Sequence, residues 1–108
     1  VKASEDLHKL LLTEKIAACE RIYPYGAGKV CIDFLQYLRE NNWIDKVGGI
    51  LVTSLSDNLD TVQGIQVMEI EDFQIRKGDL IVNTVSGIYQ REISAILRGK
   101  GITDYEAV

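Results

Sequence analysis

Arg21-Ile22-Tyr23-Pro24-Tyr25-Gly26-Ala27-Gly28-Lys29-Val30-Cys31 passes from a short, aromatic-rich strand through a glycine pair into a helix. From Lys29 to Glu40 apolar residues recur at helical spacing. Val30, Phe34 and Leu38 fall on one side, Cys31 and Leu35 lie beside them, and Asn41-Asn42 ends the run. A strand that turns on glycine into a helix begins a crossover unit, and two later segments supply strands for it to join. Val47-Gly48-Gly49-Ile50-Leu51-Val52-Thr53 and Leu80-Ile81-Val82-Asn83-Thr84-Val85 are continuous apolar runs, as in strands covered on both faces. Leu51, Val52, Ile81 and Val82 are therefore expected to be almost fully buried.

Outward from this centre the pattern keeps alternating. Ser4 can cap a first helix with Glu5 and Asp6 in its first turn. Leu7, Leu10, Leu11 and Ala18 form its stripe, and Leu12, Ile16 and Cys19 widen it. Ser54 to Gln63 is polar and reads as a loop, and Ile65-Gln66-Val67 as a short strand. A turn of helix follows around Glu71-Asp72-Phe73, then a turn at Gly78-Asp79. Ser86-Gly87 opens a last helix with the stripe Tyr89, Ile93, Ile96 and Leu97, closed by Arg98, Lys100 and Gly101. Ile102 to Val108 reads as a final strand. Strands alternating with helices predict an α/β fold with a mainly parallel sheet.

The chain has 108 residues, enough for one domain spanning 1–108 with a single core. Hydrophobic residues at 46% and charged residues at 26% are ordinary globular values and argue against disorder. Twelve basic against sixteen acidic residues give a net charge of −4, which disfavours nucleic acid or an anionic membrane as partner. No apolar stretch approaches the length of a membrane span. Cys19 and Cys31 stand outside any motif and read as thiols of a reducing, cytoplasmic compartment. An opening on Val1 and an end at Val108, just after a strand-like segment, suggest a domain excised from a longer chain.

The segment with chemical content is Gly26-Ala27-Gly28-Lys29. Glycines between a strand and a helix permit a tight turn and let a phosphate approach the backbone. The helix N-terminus adds free N–H groups and a positive dipole end. Cys31 stands at the third motif position, where dinucleotide sites place Gly or Ala. Thr53-Ser54 ends the second strand where such sites place an acid for the ribose. Walker-type spacing is absent, since Tyr23 and Val30 occupy its key positions. Thr84 and Ser86, after the other apolar strand, are placed at the same crevice.

Four segments carry a resemblance: Ile22-Tyr23-Pro24-Tyr25-Gly26-Ala27-Gly28-Lys29, Gly49 to Thr53, Gln63 to Val67, and Val85 to Ile93. Together they resemble a small Rossmann-like domain of bacterial surface-polysaccharide enzymes, found beside glycosyltransferase, methyltransferase and sugar acetyltransferase modules. The resemblance implies a nucleotide-sugar-binding module of a larger cytoplasmic transferase, with Gly26, Ala27, Gly28, Lys29, Thr53 and Ser86 at the ligand. Catalysis would then lie in another domain of the parent chain. This chain departs from the pattern at Pro24, Cys31 and Ser54.

Plainer readings stand beside these. Gly26 and Gly28 also suit a purely steric turn, Lys29 a solvated surface, and Ser86 a helix cap. His8 falls on the polar side of the first helix, and Trp43 reads as partial core or contact surface. One histidine and two separated cysteines give neither a triad nor a metal site, and no carboxylate pair stands out for acid/base work. The expected architecture is a three-layer half-Rossmann with four or five strands in the order 3-2-1-4(-5). Helices would start near Ser4, Lys29 and Ile88. The expected ligand is a nucleotide sugar ahead of NAD(P). Two alternatives are an NAD(P)-binding oxidoreductase domain and a ligand-free scaffold or dimerisation domain. The candidate protein partners are other domains of the parent chain and a second copy of this one.

Overall fold

In a computed structural model of the chain, residues 12–55, 60–85, 87–102 and 105–107 are described; for 87–90 and 105–107 this covers the backbone. Expectations for Ser4, Leu7, His8, Leu10, Leu11, Ser86 and the side chain of Tyr89 lie outside the described residues.

Strand β1 (Arg21–Tyr25) lies between β2 (Ile50–Val52) and β5 (Asp79–Asn83). The apolar runs of β2 and β5 need cover on both faces, which places them at the middle of the sheet. β3 (Thr61–Val62), β4 (Ile65–Glu69) and β6 (Tyr105–Ala107) complete the order β3-β4-β2-β1-β5-β6. Among the described strands five run parallel, and β3 pairs antiparallel with β4. The fold is α/β with a mostly parallel sheet. Leu51, Ile81 and Val82 are fully enclosed and Val52 is 3% exposed, as the double-faced reading required.

Alternation along the strands feeds two cores. Ile22, Ile50, Val52, Val67, Leu80 and Val82 pack under α1 (residues 12–18) and α2 (Lys29–Glu40). Tyr25, Leu51 and Ile81 face the opposite way, toward α3 (Gly87–Gly99) and Ile70–Phe73. α2 buries Cys31, Phe34, Leu35 and Leu38, and α3 buries Ile93 and Leu97. On α1 the stripe is carried by Leu12 and Ile16, while Ala18 is exposed, contrary to expectation. Asn42 ends α2 in the left-handed region at φ 61°, with Trp43 N–H on Leu38 O and Asn42 N–H on Arg39 O. Gly101, at φ 78°, ends α3 with the same two bonds: Ile102 N–H on Leu97 O and Gly101 N–H on Arg98 O.

The sheet adds β3 at its edge to the expected order 3-2-1-4(-5), whose strands are β4, β2, β1, β5 and β6 here, and the half-Rossmann expectation does not hold. That architecture needs a helix on each crossover, and only α2 and α3 are such helices among the described residues. The connection from β2 to β4 carries strand β3 instead. Part of the stretch 54–63, read as loop, forms β3 and turns at Gln63-Gly64. Both turn residues have positive φ, 52° and 81°, the geometry of a two-residue hairpin. A 3₁₀ turn at Ile70–Asp72 serves the next connection. Polar residues hid β3, because an edge strand needs no apolar run.

Pro24 sits in the central strand, where a missing N–H costs a ladder bond. Ile22 O accepts from Gly48 N–H, and Gly26 N–H donates to Leu51 O, so the backbone groups of Ile22, Pro24 and Gly26 face β2. The ladder is broken where the donor is lacking. Three steps separate Ile22 from Tyr25 on β1, while four separate their partners Val47 and Leu51. The extra residue is accommodated at Gly48-Gly49, a bulge opposite Pro24. On its other edge β1 pairs with β5 over all five residues.

Ile81→Ala should lower unfolding free energy by about 2–5 kcal/mol, since it empties volume between two packed layers. Chemical denaturation with an unchanged m-value is the measurement.

Candidate functional site

The expected loop lies at the C-terminal ends of β1, β2 and β5, where open α/β sheets present a crevice. A cleft of about 430 Å³ is lined there by Tyr25 to Val30, Val52, Thr53, Thr84, Val85 and Ile93. Five of the six expected residues line it: Gly26, Ala27, Gly28, Lys29 and Thr53. Ser86 lies outside the described residues.

The two glycines differ physically. Gly26 has φ +109°, and a Cβ there would stand 2.6 Å from Val85 Cγ1 and 3.3 Å from Thr84 O. The fold itself requires that glycine. Gly28 has φ −94° and ψ −157°, extended backbone open to any residue, and a Cβ would meet nothing within 4 Å. As N-cap of α2 it brings no side-chain acceptor to the first-turn N–H groups. What Gly28 preserves is empty space in front of a helix N-terminus.

Thr84 anchors the loop. Its backbone N–H and its hydroxyl both reach Tyr25 O at 2.9 Å, and the hydroxyl also lies 3.1 Å from Gly26 O. The Tyr25 ring is buried on the α3 side, and its hydroxyl shares a 2.8 Å hydrogen bond with Thr53 Oγ1. Burial pushes the Tyr25 phenol up, with the bond to Thr53 opposing. The position of an expected ribose acid is thus held by a neutral hydroxyl pair. Among the described residues Lys29 is the one charged group lining this cleft, and its exposed Nζ pairs with Asp33 Oδ2 at 3.1 Å. It neither fills the crevice nor points a fixed charge into it.

Cys31, at the third motif position, is fully buried, and burial pushes its thiol up to about 11, opposed by a hydrogen bond with Thr84. It packs α2 against the sheet as a small apolar group. Cys19 is half-buried, and both thiols are free. Among the described residues no three or more His, Cys, Asp or Glu side chains gather as a metal site. No helix among them is long and apolar enough to cross a membrane. No family model, curated protein or solved structure matches the chain.

Sequence reasoning missed a second cleft of about 430 Å³ on the α3 face. The tilted Tyr23–Phe73 pair, with centroids 4.7 Å apart, forms its wall, and Arg21, Arg76, Glu71 and Asp72 form its rim. Asp79, its side chain 1% exposed, accepts from Arg21 Nε and Arg76 N–H, both at 2.9 Å. Arg21 and Tyr23 come from β1 and the other residues named here from 71–79, and no local spacing signals that the two stretches meet.

Gly26→Ala should cost about 1–3 kcal/mol through strain and the Val85 contact, whereas Gly28→Ala should stay within about 0.5 kcal/mol in thermal unfolding. Cys31 should resist thiol reagents at pH 8 until the protein unfolds, while Cys19 reacts first. The Cys31 thiol ionises near 9 in the unfolded chain and near 11 when folded, so its contribution to stability is complete below pH 9 and lost as pH rises toward 11. Unfolding measured across that window checks the sign.

Proposed function

We propose that the chain is a nucleotide-binding module, with a nucleotide sugar as ligand, whose diphosphate lies over Gly26-Ala27-Gly28 at the N-terminus of α2. The observation that carries this reading is Gly28: no turn geometry and no neighbour demands glycine there, yet a side chain would fill the approach to the first-turn N–H groups. Ala27, Val30, Val52 and Val85 give the cleft apolar walls, and Lys29 can swing toward a phosphate from its exposed pair with Asp33. Resemblance of the loop to the domains of bacterial surface-polysaccharide enzymes supplies the sugar and the setting. That setting is a cytoplasmic transferase, such as a glycosyltransferase, whose chemistry resides in another module.

The hydroxyl pair Tyr25–Thr53 supports a nucleotide sugar over NAD(P). A missing charged hydrogen bond to ribose costs about 1.5–3 kcal/mol, or roughly one to two decades in affinity. The same pair favours a second reading, a scaffold without ligand, because the Tyr25 ring already occupies the α3 side of the crevice.

Calorimetric or NMR titration of the chain with UDP-sugars and NAD tests the proposal. Shifts confined to residues 26–31 are expected, tighter with the sugar nucleotide and abolished in Gly28→Val while its melting temperature is retained. Tighter NAD binding would favour the oxidoreductase reading. No shift at millimolar ligand would favour the scaffold.

A further inference from the structure

One ammonium group binds the C-terminal end of α1. Lys46 ends the 3₁₀ turn Ile44–Lys46 that follows α2, one residue before the Val47–Ile22 bridge to β1. Its Nζ donates to three backbone carbonyls, Ile16 O, Ala17 O and Cys19 O, each at 2.9 Å. Two of these lie in the last turn of α1 and the third just beyond it. Carbonyls there lack helical partners, and the dipole end is negative. All three donors of one lysine are thereby spent on one helix end, from a position tied to the sheet.

The side of α1 that meets the sheet is narrow along its described length. Leu12 and Ile16 are buried in the core beneath it, and Thr13 Oγ1 meets Tyr37 OH at 2.8 Å. Glu14, Lys15, Ala17 and Ala18 are exposed. The apolar contact over residues 12–18 therefore rests on two side chains, one turn apart, and the lysine closes the end of the helix beyond them.

We infer that Lys46 is a latch: its charge holds the end of α1 on the sheet, and loss of that charge lets residues 12–19 detach as a unit while the parallel sheet stays folded. A neutral side chain of similar length leaves three carbonyls at a negative helix end without a cationic donor. Opening of this segment then breaks the Leu12 and Ile16 contacts and the Thr13–Tyr37 bond, whereas β1, β2 and β5 keep their neighbours in the sheet.

Hydrogen exchange on the whole chain tests this. In Lys46→Gln, amides in residues 12–19 should exchange about tenfold faster than in the parent protein, with β1 and β5 unchanged, and Lys46→Arg should restore protection. Unchanged exchange in 12–19, or an equal rise over the sheet, would overturn the latch. Should Lys46→Gln fail to fold, exchange of the parent protein in rising denaturant decides the matter. Opening of 12–19 ahead of β1 and β5 supports the latch, and simultaneous opening overturns it.

Discussion

Ile22 and Tyr25 lie three residues apart on β1, are 0% and 1% exposed, and belong to different cores. A strand buried on both faces has no solvent side, so helices or chain must cover each layer, and strands must flank both edges. α1 and α2 cover one face, α3 and Ile70–Phe73 the other, and β2 and β5 take the edges. The crevice follows from this constraint. Parallel strands end together, and the chain leaving β1 must turn sharply to reach the layer above.

That turn separates two uses of glycine. Gly26 answers to the fold, through its positive φ and the closeness of Val85. Gly28 answers to nothing inside the described chain, and the space it leaves fronts the N–H groups of α2. Thr84 stiffens the floor by bonding Tyr25 O and Gly26 O, and Cys31 seals the helix against the sheet. Around the opening the described lining is apolar or neutral, apart from Lys29. Recognition of an anion there would rest on backbone dipoles more than on fixed charge.

Pro24 shows how a local defect is absorbed. Its missing donor faces β2, and Gly48-Gly49 place one extra residue opposite it. On the β5 side, where alternate residues of β1 pair, the register is unbroken. The sheet keeps its centre because the defect is confined to one edge of one strand.

The sequence by itself determined the two apolar strands, the helical stripe of α2, the glycine turn between β1 and α2, and hence an α/β sheet with a crevice at that turn. These are short-range signals: period, apolar run length and turn chemistry. The tertiary structure alone decided the rest. β3 is two residues long in a polar stretch, so only its pairing with β4 marks it as a strand. The exposure of Ala18 depends on which side of α1 meets the sheet. The Tyr25–Thr53 bond, the Arg21–Asp79 pair and the hold of Lys46 on Cys19 O join residues 27 to 58 positions apart. Such contacts leave no periodic trace, because they are set by the distance between packed elements and not by spacing along the chain.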